Sequence, residues 1–532
     1  MLAKLTKRII IINVLFFIFS LNINSQIVNE NILKLVRTYD YINALYVDSI
    51  NQKKIVESAI KAMLNELDPH SSYMSPEEVK ELNEPLQGNF EGIGVMFNIL
   101  NDTIFIINVI AGGPSEKVGV HAGDKIIKID GENVAGKKIT NKTVMSKLRG
   151  KKGTKVTISV LRRGINDLID YTIVRDKIPI TSIDAAYMIT PNTGYIKLDR
   201  FAQTTNTEFE TALKKLMKQN ASNLIIDLSG NGGGYLEEAV ALADHFLEKD
   251  KLIVYTKGLR NPRKEYVSTS YGLFEKGKLV IIVDESSASA SEILAGAIQD
   301  WDRGIIVGRR SFGKGLVQRP LFLPDESMIR LTVAYYYTPS GRNIQKPFKK
   351  GENEEYEKDL YNRYNKGEMI SKDSIHFADS LRFYTLQKKR IVYGGGGIMP
   401  DIFVPIDTSS YSNFYRDILR NGTLNKFVLE YIDKNRASIQ RKYPKFEQFK
   451  MNFDASSLFD PFVEYAKLDS IKVDSAQVQT SKANIIRLIK ANIARDIWNT
   501  SEFFEIYNES DPMVQEAIKA IEDYDKLLNS DK

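Results

Sequence analysis

Two short motifs in the middle of the chain carry side chains that could break an acyl bond. SASASEI contains three serines within Ser287–Ser291, and FGKGLVQ sets Lys314 between two glycines. A serine needs a base to attack an acyl carbon, and the usual base is a histidine. The chain has four histidines, and neither motif contains one. A lysine can serve if burial lowers its pKa, so the two motifs predict Ser–Lys hydrolysis.

The elements around these motifs would position the groups that such chemistry needs. The strand KLVIIV leads into the serines, and a helix is predicted from near Glu292. A nucleophile there would lie at a helix N-terminus, where free N–H groups stabilise a developing oxyanion. The N–H of Ala290 is the natural first donor. Ser291 is predicted to cap the helix.

A second donor is expected from the glycine loop SGNGGG (Ser229–Gly234), which follows the strand NLIIDL. The alternative is that these glycines only form a tight strand-to-helix turn. The loop is not a P-loop, because no Gly-Lys-Ser/Thr follows. Asp227, at the end of that strand, is predicted to hold the loop rather than to transfer protons. His70 and His121 are interpreted as turn residues without a catalytic role.

Composition excludes several classes of function. The chain has 532 residues, enough for roughly three to four domains, and its net charge of +6 is spread without long basic blocks. Nucleic-acid binding is therefore not predicted. The absence of cysteine excludes disulfides and thiol catalysis. No His/Asp/Glu cluster has ligand spacing, so neither a metal nor another cofactor is predicted.

The N-terminus has the pattern of a targeting segment. Lys4, Lys7 and Arg8 precede an apolar run from Ile9 to Phe19, and small Ser25 follows at a plausible cleavage point. The run is shorter than the roughly 20 residues of a membrane span. We predict a cleaved signal peptide and export to the periplasm or cell envelope. An uncleaved membrane anchor is the alternative.

The remaining chain divides into blocks with different periodicities. Residues 30–80 are helical in pattern, with Ser75 predicted to cap a helix that begins at Pro76. From about Asn89 to Arg175 the pattern is one of short strands, and from about Ile178 to Gln345 strands alternate with helices. Such alternation predicts an α/β sheet with crossover connections.

The last third of the chain is less informative. Residues 346 to about 390 are polar and charge-rich, which predicts a surface excursion without chemistry. GGGGIMPDIFVP (Gly394–Pro405) is predicted to return to the core as a strand. Residues 410–532 are predicted to be mostly helical, with Asp511 capping a last helix that begins at Pro512.

The second block closely resembles a PDZ domain. Its loop Glu91-Gly92-Ile93-Gly94-Val95 occupies the place of the PDZ carboxylate-binding loop. Glycines there would let successive backbone N–H groups point at an anionic chain terminus, and the next strand would offer an edge for β-augmentation. The resemblance implies that Gly92, Ile93, Gly94 and Val95 bind a peptide C-terminus. A small β-barrel without a ligand is the alternative.

Taken together, SASASEI, FGKGLVQ, YYTPSGRNIQ and the preceding PDZ-like block resemble the C-terminal processing peptidases, or tail-specific proteases. The resemblance implies that Ser289 is the nucleophile, that Lys314 is its general base and that Gln318 supports the lysine. It also implies that the glycine loop supplies an oxyanion donor, for which Gly234 is favoured and Gly233 is second. Lys314 must then have a lowered pKa.

The predicted fold class is α+β and multidomain. An α/β peptidase core of the ClpP/crotonase type would carry an inserted PDZ β-barrel and helical N- and C-terminal regions. The predicted boundaries are a signal peptide (1–25), an N-terminal helical region (26–85), the PDZ domain (86–176), the catalytic core (177–345), a polar insertion (346–392), the return strand (393–407) and a C-terminal helical region (408–532).

The predicted function is that of an exported serine endopeptidase that recognises protein substrates by their C-terminus. The alternative is a non-catalytic PDZ scaffold of the cell envelope, although such a protein would be expected to lose the serine, lysine or glutamine. An acyl hydrolase or transferase on the same fold is disfavoured by the attached peptide-binding module. A homodimer, an adaptor protein and membrane anchorage are further partners that the sequence leaves open.

Overall fold

The computed structural model describes residues 29–529. The predicted signal peptide (1–25) lies outside the described residues. The chain divides into two compact units between Leu67 and Asp68. The smaller unit contains the helices α1 (Glu30–Leu45) and α2 (Gln52–Asn65). Among residues 29–529, no helix combines the length and the hydropathy that a bilayer crossing needs.

The larger unit begins with a strand and a capped helix, β1 (Ser72–Met74) and α3 (Pro76–Gln87). Ser75 Oγ accepts a hydrogen bond from the Glu78 N–H, and the Glu78 carboxylate accepts one from the Ser75 N–H. This reciprocal capping box satisfies two backbone donors at the helix start. The predicted start at Pro76 is confirmed.

A small antiparallel β-structure follows. Its elements are β2 (Asn89–Gly92), β3 (Val95–Leu100), β4 (Thr103–Val109), α4 (Pro114–Lys117), β5 (Lys125–Ile129), β6 (Glu132–Asn133), α5 (Asn141–Leu148), β7 (Lys155–Leu161), β8 (Ile169–Val174) and β9 (Asp176–Pro179). The main sheet has the order β3–β4–β5–β7–β8, so β3 is an edge strand, and β6 pairs with β5. Ile104, Ile126 and Ile158 are fully buried in its core.

The α/β block contains two sheets. Its elements are β10 (Ile183–Thr190), β11 (Thr193–Leu198), α6 (Thr205–Lys218), β12 (Asn223–Asp227), α7 (Leu236–Asp244), β13 (Leu252–Lys257), β14 (Lys264–Val267), β15 (Lys278–Val283), α8 (Ala290–Asp300), β16 (Ile305–Gly308), β17 (Leu316–Phe322), β18 (Met328–Tyr337) and β21 (Ile402–Phe403). The central sheet has the order β10–β11–β12–β15–β16–β21 and is parallel from β11 onward. The second sheet runs β1–β18–β13–β14, with β17 also on β18.

Parallel pairing brings the predicted chemical loops together. β12 ends at Asp227 and β15 ends at Val283, and the two strands are hydrogen-bonded neighbours. Because parallel strands end at the same edge of a sheet, the glycine loop and the serine loop leave it side by side. Every residue of α8 is buried, so the helix that follows the serines is fixed within the core.

The segment after β18 is not the simple surface excursion that its polarity predicts. It contains α9 (Asn353–Glu357), α10 (Asp359–Asn365) and the hairpin β19 (Arg382–Tyr384) with β20 (Ile391–Tyr393). Tyr356 and Arg363 are buried. The prediction is wrong for these positions, because the segment folds back onto the loops that precede β17. Arg363, for example, donates hydrogen bonds to the carbonyl oxygens of Arg310 and Ser311.

The C-terminal region is helical, as predicted. Its helices are α11 (Asn413–Arg420), α12 (Thr423–Lys442), α13 (Phe446–Asn452), α14 (Phe459–Leu468), α15 (Ser475–Ile497), α16 (Thr500–Tyr507), α17 (Pro512–Glu522) and α18 (Tyr524–Asn529). Asp511 caps α17 by accepting from the Met513 and Val514 N–H groups, which confirms the predicted cap.

This C-terminal region packs against two other parts of the larger unit. Leu429 of α12 lies with Leu100 and Phe105 of the small β-structure in one buried cluster. Asp433 pairs with Lys125 at 3.0 Å beside this cluster. Apolar residues of α17 and α18 cover the face of the central sheet opposite α8, and these are Val514, Ala517, Ala520, Ile521 and Tyr524. The region therefore contacts both the small β-structure and the α/β block.

Candidate active site

The turn between β15 and α8 presents one of the three serines of the motif in a distinct conformation. Ser289 has φ +55° and ψ −110°, a backbone conformation that costs a non-glycine residue about 1–3 kcal/mol. Its N–H donates to Glu292 Oε2 at 2.9 Å, and its carbonyl accepts from Tyr336 Oη at 3.2 Å. The surrounding hydrogen bonds hold this strained turn in place.

The neighbouring serines have structural partners. Ser287 Oγ donates to the Leu228 carbonyl at 2.8 Å, and Ser291 Oγ donates to the Asn231 carbonyl at 2.9 Å. Both are fully buried, whereas Ser289 is half-buried. The predicted capping role of Ser291 is wrong, because its hydroxyl ties the helix to the glycine loop. Among residues 29–529, the Ser289 hydroxyl proton has no hydrogen-bond acceptor.

Lys314 lies in the loop before β17, and its ammonium is held by one strand side chain. Lys314 Nζ donates to Gln318 Oε1 at 2.8 Å, and Gln318 Nε2 donates to the carbonyl oxygen of His70. Burial and, to a smaller extent, the positive charge of Arg330 lower the pKa of Lys314 to about 8. The carboxylates of Glu292 and Asp68 act in the opposite direction on that pKa.

Glu292 joins the serine turn to the lysine loop. Its buried carboxylate accepts hydrogen bonds from the N–H groups of Ser289, Gly313 (2.7 Å) and Lys314 (2.9 Å), and from Ser311 Oγ. Burial raises the pKa of Glu292, and these hydrogen bonds oppose the rise. Sequence reasoning missed this role. The available signal was an acidic residue three positions after the serine, at the start of a predicted helix.

The glycine loop packs directly against the serine turn. An added Cβ at Gly233 would lie 2.7 Å from the Ala288 carbonyl oxygen and 2.9 Å from Ser289 Cβ, and its φ is +99°. An added Cβ at Gly234 would lie 2.1 Å from the Phe201 carbonyl oxygen. Both positions therefore require glycine.

The backbone donors of this loop differ in availability. The Gly233 N–H donates to Asn231 Oδ1 at 2.9 Å, so it is already engaged. Within the described residues, neither the Ala290 N–H nor the Gly234 N–H has an intramolecular acceptor. Asp227 accepts from the N–H and the Oγ of Ser229, which confirms that it holds the loop.

The predicted peptide-binding loop has free backbone donors at the sheet edge. The Ile93 carbonyl accepts from Ser115 Oγ at 2.7 Å, and the Gly94 carbonyl accepts from the Ile110 N–H at 2.9 Å. In the part of the chain that the structure describes, the N–H groups of Ile93 and Gly94 have no intramolecular acceptor. Val95 then begins the edge strand β3. This geometry suits an added strand that ends in a carboxylate.

Two of the four histidines lie close to these groups or loops but have other roles. His70 contributes its carbonyl oxygen to Gln318, and burial together with the charge of Lys314 lowers the pKa of its imidazole to about 4. His121 donates its N–H to Asp124 in a turn. Their interpretation as turn residues agrees with these contacts.

Comparison with known proteins decides the family. Residues 192–351 match the model of peptidase family S41, residues 92–173 match that of the PDZ domain, and residues 20–78 match that of the activating protease CtpB N-terminal domain. The chain is 35% identical to a carboxy-terminal-processing protease of Bartonella bacilliformis, over 60% of this chain and 74% of the relative. The chain belongs to the carboxy-terminal-processing protease family. It is a serine-type endopeptidase with a PDZ domain, and the non-catalytic scaffold is set aside.

Two further proteins are similar to the chain. The carboxy-terminal processing protease CtpB of Bacillus subtilis is 36% identical over 59% of this chain and 65% of its own length. The photosystem II D1 C-terminal processing protease is 29% identical, with a TM-score of 0.34, over 59% of this chain and 83% of that one. Residues 414–499 match a family of unknown function. The predicted α+β multidomain fold class is confirmed.

The close approach of the glycine loop gives a testable consequence. Gly233→Ala should lower kcat/KM at least about a hundredfold, because the new methyl group would push the loop away from Ser289 by a substantial fraction of an ångström. Gly232→Ala is the matched control, since an added Cβ there has no neighbour within 4 Å. Peptidase kinetics on both purified variants would check this. Wild-type kinetics in Gly233→Ala would contradict the described contact.

Proposed function

We propose that the protease hydrolyses peptide bonds with a Ser289–Lys314 dyad and recognises its substrates by a free C-terminus through the PDZ domain. The observation that carries the proposal is the lysine's surroundings. Lys314 is half-buried, its pKa is lowered to about 8, and its backbone shares the Glu292 carboxylate with the backbone of Ser289. Ser289 is also the motif serine whose hydroxyl proton is uncommitted.

The hydrogen bond to Gln318 suits a neutral lysine that acts as a base. A neutral amine has two N–H bonds and one lone pair. Gln318 Oε1 can take one N–H, because its own amide group is fixed on the His70 carbonyl. The lone pair then remains for the Ser289 hydroxyl proton. No hydrogen bond joins Ser289 Oγ to Lys314 Nζ in the described chain, so the lysine side chain must move toward the serine for reaction.

The chemical steps follow from these groups. Ser289 Oγ attacks the scissile carbonyl carbon while its proton passes to Lys314 Nζ. The Ala290 and Gly234 N–H groups stabilise the oxyanion of the tetrahedral intermediate. Lys314 then returns the proton to the leaving amine, and an acyl-enzyme remains on Ser289. Water, deprotonated by the same lysine, hydrolyses the ester and regenerates the serine.

The first prediction from this mechanism concerns the two dyad residues. Ser289→Ala and Lys314→Ala should each abolish peptide hydrolysis, because the first removes the nucleophile and the second removes its base. Ser286→Ala is a matched control, since Ser286 is an exposed serine of the same loop. Hydrolysis of a fluorogenic peptide should also fall as pH decreases through about 8, where Lys314 becomes protonated.

Circular dichroism and thermal unfolding would show that both variants fold. Covalent labelling by a serine-reactive fluorophosphonate should be lost in Ser289→Ala and retained in Ser286→Ala. Wild-type turnover by either Ser289→Ala or Lys314→Ala would refute the dyad. A pH profile that is flat between 6 and 9 would refute a lysine base.

C-terminal recognition is proposed from the edge strand β3 and the free N–H groups of Ile93 and Gly94. A protein substrate with a free, apolar C-terminal residue should be cleaved faster than the same substrate with an amidated C-terminus, since the amide removes the carboxylate that these donors would bind. Initial cleavage rates on the matched pair would measure the effect. A short internal peptide, which is too short to reach both sites, serves as the control. Equal rates for the pair would contradict recognition of the carboxylate.

Export to the periplasm or envelope is proposed from the basic and apolar residues of the N-terminus alone. N-terminal sequencing of the protein recovered from a bacterial envelope fraction should give Gln26 as the first residue. A chain that retains Met1 and fractionates with membranes would show that the N-terminal segment is an uncleaved membrane anchor. Recovery of the intact chain in the cytoplasm would overturn export. Val14→Asp, which puts a charge into the apolar run, should block translocation.

A further inference from the structure

The segment between β18 and β19 places a tyrosine beside the lysine loop. Tyr356 lies on α9 and is 7% exposed, although the segment around it is rich in charged residues. Its ring packs edge-on against the imidazole of His70, with centroids 5.1 Å apart, and against Phe312, with centroids 6.3 Å apart. Phe312 is two residues before Lys314. Tyr356 thus contacts both Phe312 of the lysine loop and His70, whose carbonyl oxygen accepts from Gln318.

The Tyr356 hydroxyl has two polar side-chain partners, Gln345 and His70. Gln345 Nε2 donates to Tyr356 Oη at 3.2 Å, because Gln345 Oε1 accepts from the Gly315 N–H at 2.9 Å. Tyr356 Oη also lies 2.7 Å from His70 Nε2. The lowered pKa of His70, about 4, keeps the imidazole neutral, so its Nε2 can accept the single phenolic proton.

Further hydrogen bonds lead from His70 to Lys314, the proposed base. His70, whose ring is hydrogen-bonded to the Tyr356 hydroxyl, accepts from Gln318 Nε2 through its carbonyl oxygen, and Gln318 Oε1 accepts from Lys314 Nζ. On the other side, Gln345 holds the N–H of Gly315, the residue after Lys314. The hydroxyl of Tyr356 therefore links the side-chain support and the backbone support of the same lysine.

The ammonium group of Lys346 also links Tyr356 to the lysine loop through cation–π contacts. Lys346 Nζ lies 4.0 Å from the centroid of the Tyr356 ring and 4.2 Å from that of Phe312. It also pairs with Asp359, at the start of α10, at 3.1 Å. The buried ammonium is attracted to both aromatic rings. The segment is thus held against the lysine loop by charge, stacking and hydrogen bonds together.

We propose that Tyr356 is a positioning residue of the peptidase, which acts through His70 and Gln318 to fix the orientation of Lys314 Nζ. The inference rests on the proposed role of Lys314 as the base. It assigns a task in catalysis to a segment for which the sequence predicted none. Tyr356 touches neither nucleophile nor base, so its loss should slow the reaction without preventing substrate binding.

Tyr356→Phe tests this inference, because it removes the hydroxyl and retains the ring. We expect kcat to fall about three- to tenfold, the loss of one neutral hydrogen bond, while KM changes less than about twofold. Tyr361→Phe is the matched control, since Tyr361 lies on the neighbouring helix with 67% of its surface exposed, and it should have wild-type kinetics. Assays well below the unfolding temperature of each variant keep stability out of the comparison.

A double-mutant cycle with Gln318→Ala tests the route of the effect. If Tyr356 acts through Gln318, Tyr356→Phe should lower kcat by less than about twofold in the Gln318→Ala background, because the link is already broken. A full three- to tenfold loss in that background would overturn this route. A wild-type kcat in Tyr356→Phe would overturn the inference about Tyr356. An inactive Lys314→Ala would still support the dyad. An active Lys314→Ala would instead refute the proposed function.

Discussion

The buried carboxylate of Glu292 is the interaction on which the geometry of the site depends. It accepts hydrogen bonds from backbone N–H groups of both the serine turn and the lysine loop. It also accepts from Ser311 Oγ, which in turn accepts from the Ile398 N–H in the segment that leads to β21. A carboxylate satisfied by several donors in a low-dielectric interior is costly to disturb. Three stretches that are far apart in sequence are thereby held in one arrangement.

The central sheet supplies the second constraint. β12 and β15 are adjacent and parallel, so the glycine loop and the serine turn begin at the same level of the same edge. Gly233 then allows van der Waals contact between the two loops, and the Ser291 hydroxyl fastens the helix to the glycine loop. The strained backbone of Ser289 is tolerated because each of these contacts would be lost if the turn relaxed.

The sequence predicts the features of this molecule that local patterns encode. Alternation of strands and helices gives the α/β block, Ser75 and Asp511 mark helix starts, and glycine-rich turns mark the loops. The hydrogen bonds of Glu292 to Gly313 and Lys314 could not be predicted from a local pattern, because these residues become its neighbours only in the folded arrangement of β15 and β17. The burial of Tyr356 was not predicted, because a polar and charged segment normally lies on the surface. Contacts of the C-terminal region, such as Leu429 with Phe105, depend on a tertiary arrangement that no periodicity records.

The position of α17 and α18 has a consequence for the stability of the central sheet. These helices cover one apolar face of the central sheet, where Val514, Ala517 and Ile521 are buried against it, and Tyr524 Oη donates to the Arg303 carbonyl at 2.7 Å. Without this segment, apolar side chains of the central sheet such as Tyr195, Ile225 and Val280 would be exposed to water. The central sheet, whose edge carries the serine turn, therefore depends for its stability on two helices that lie more than 200 positions after the turn in sequence.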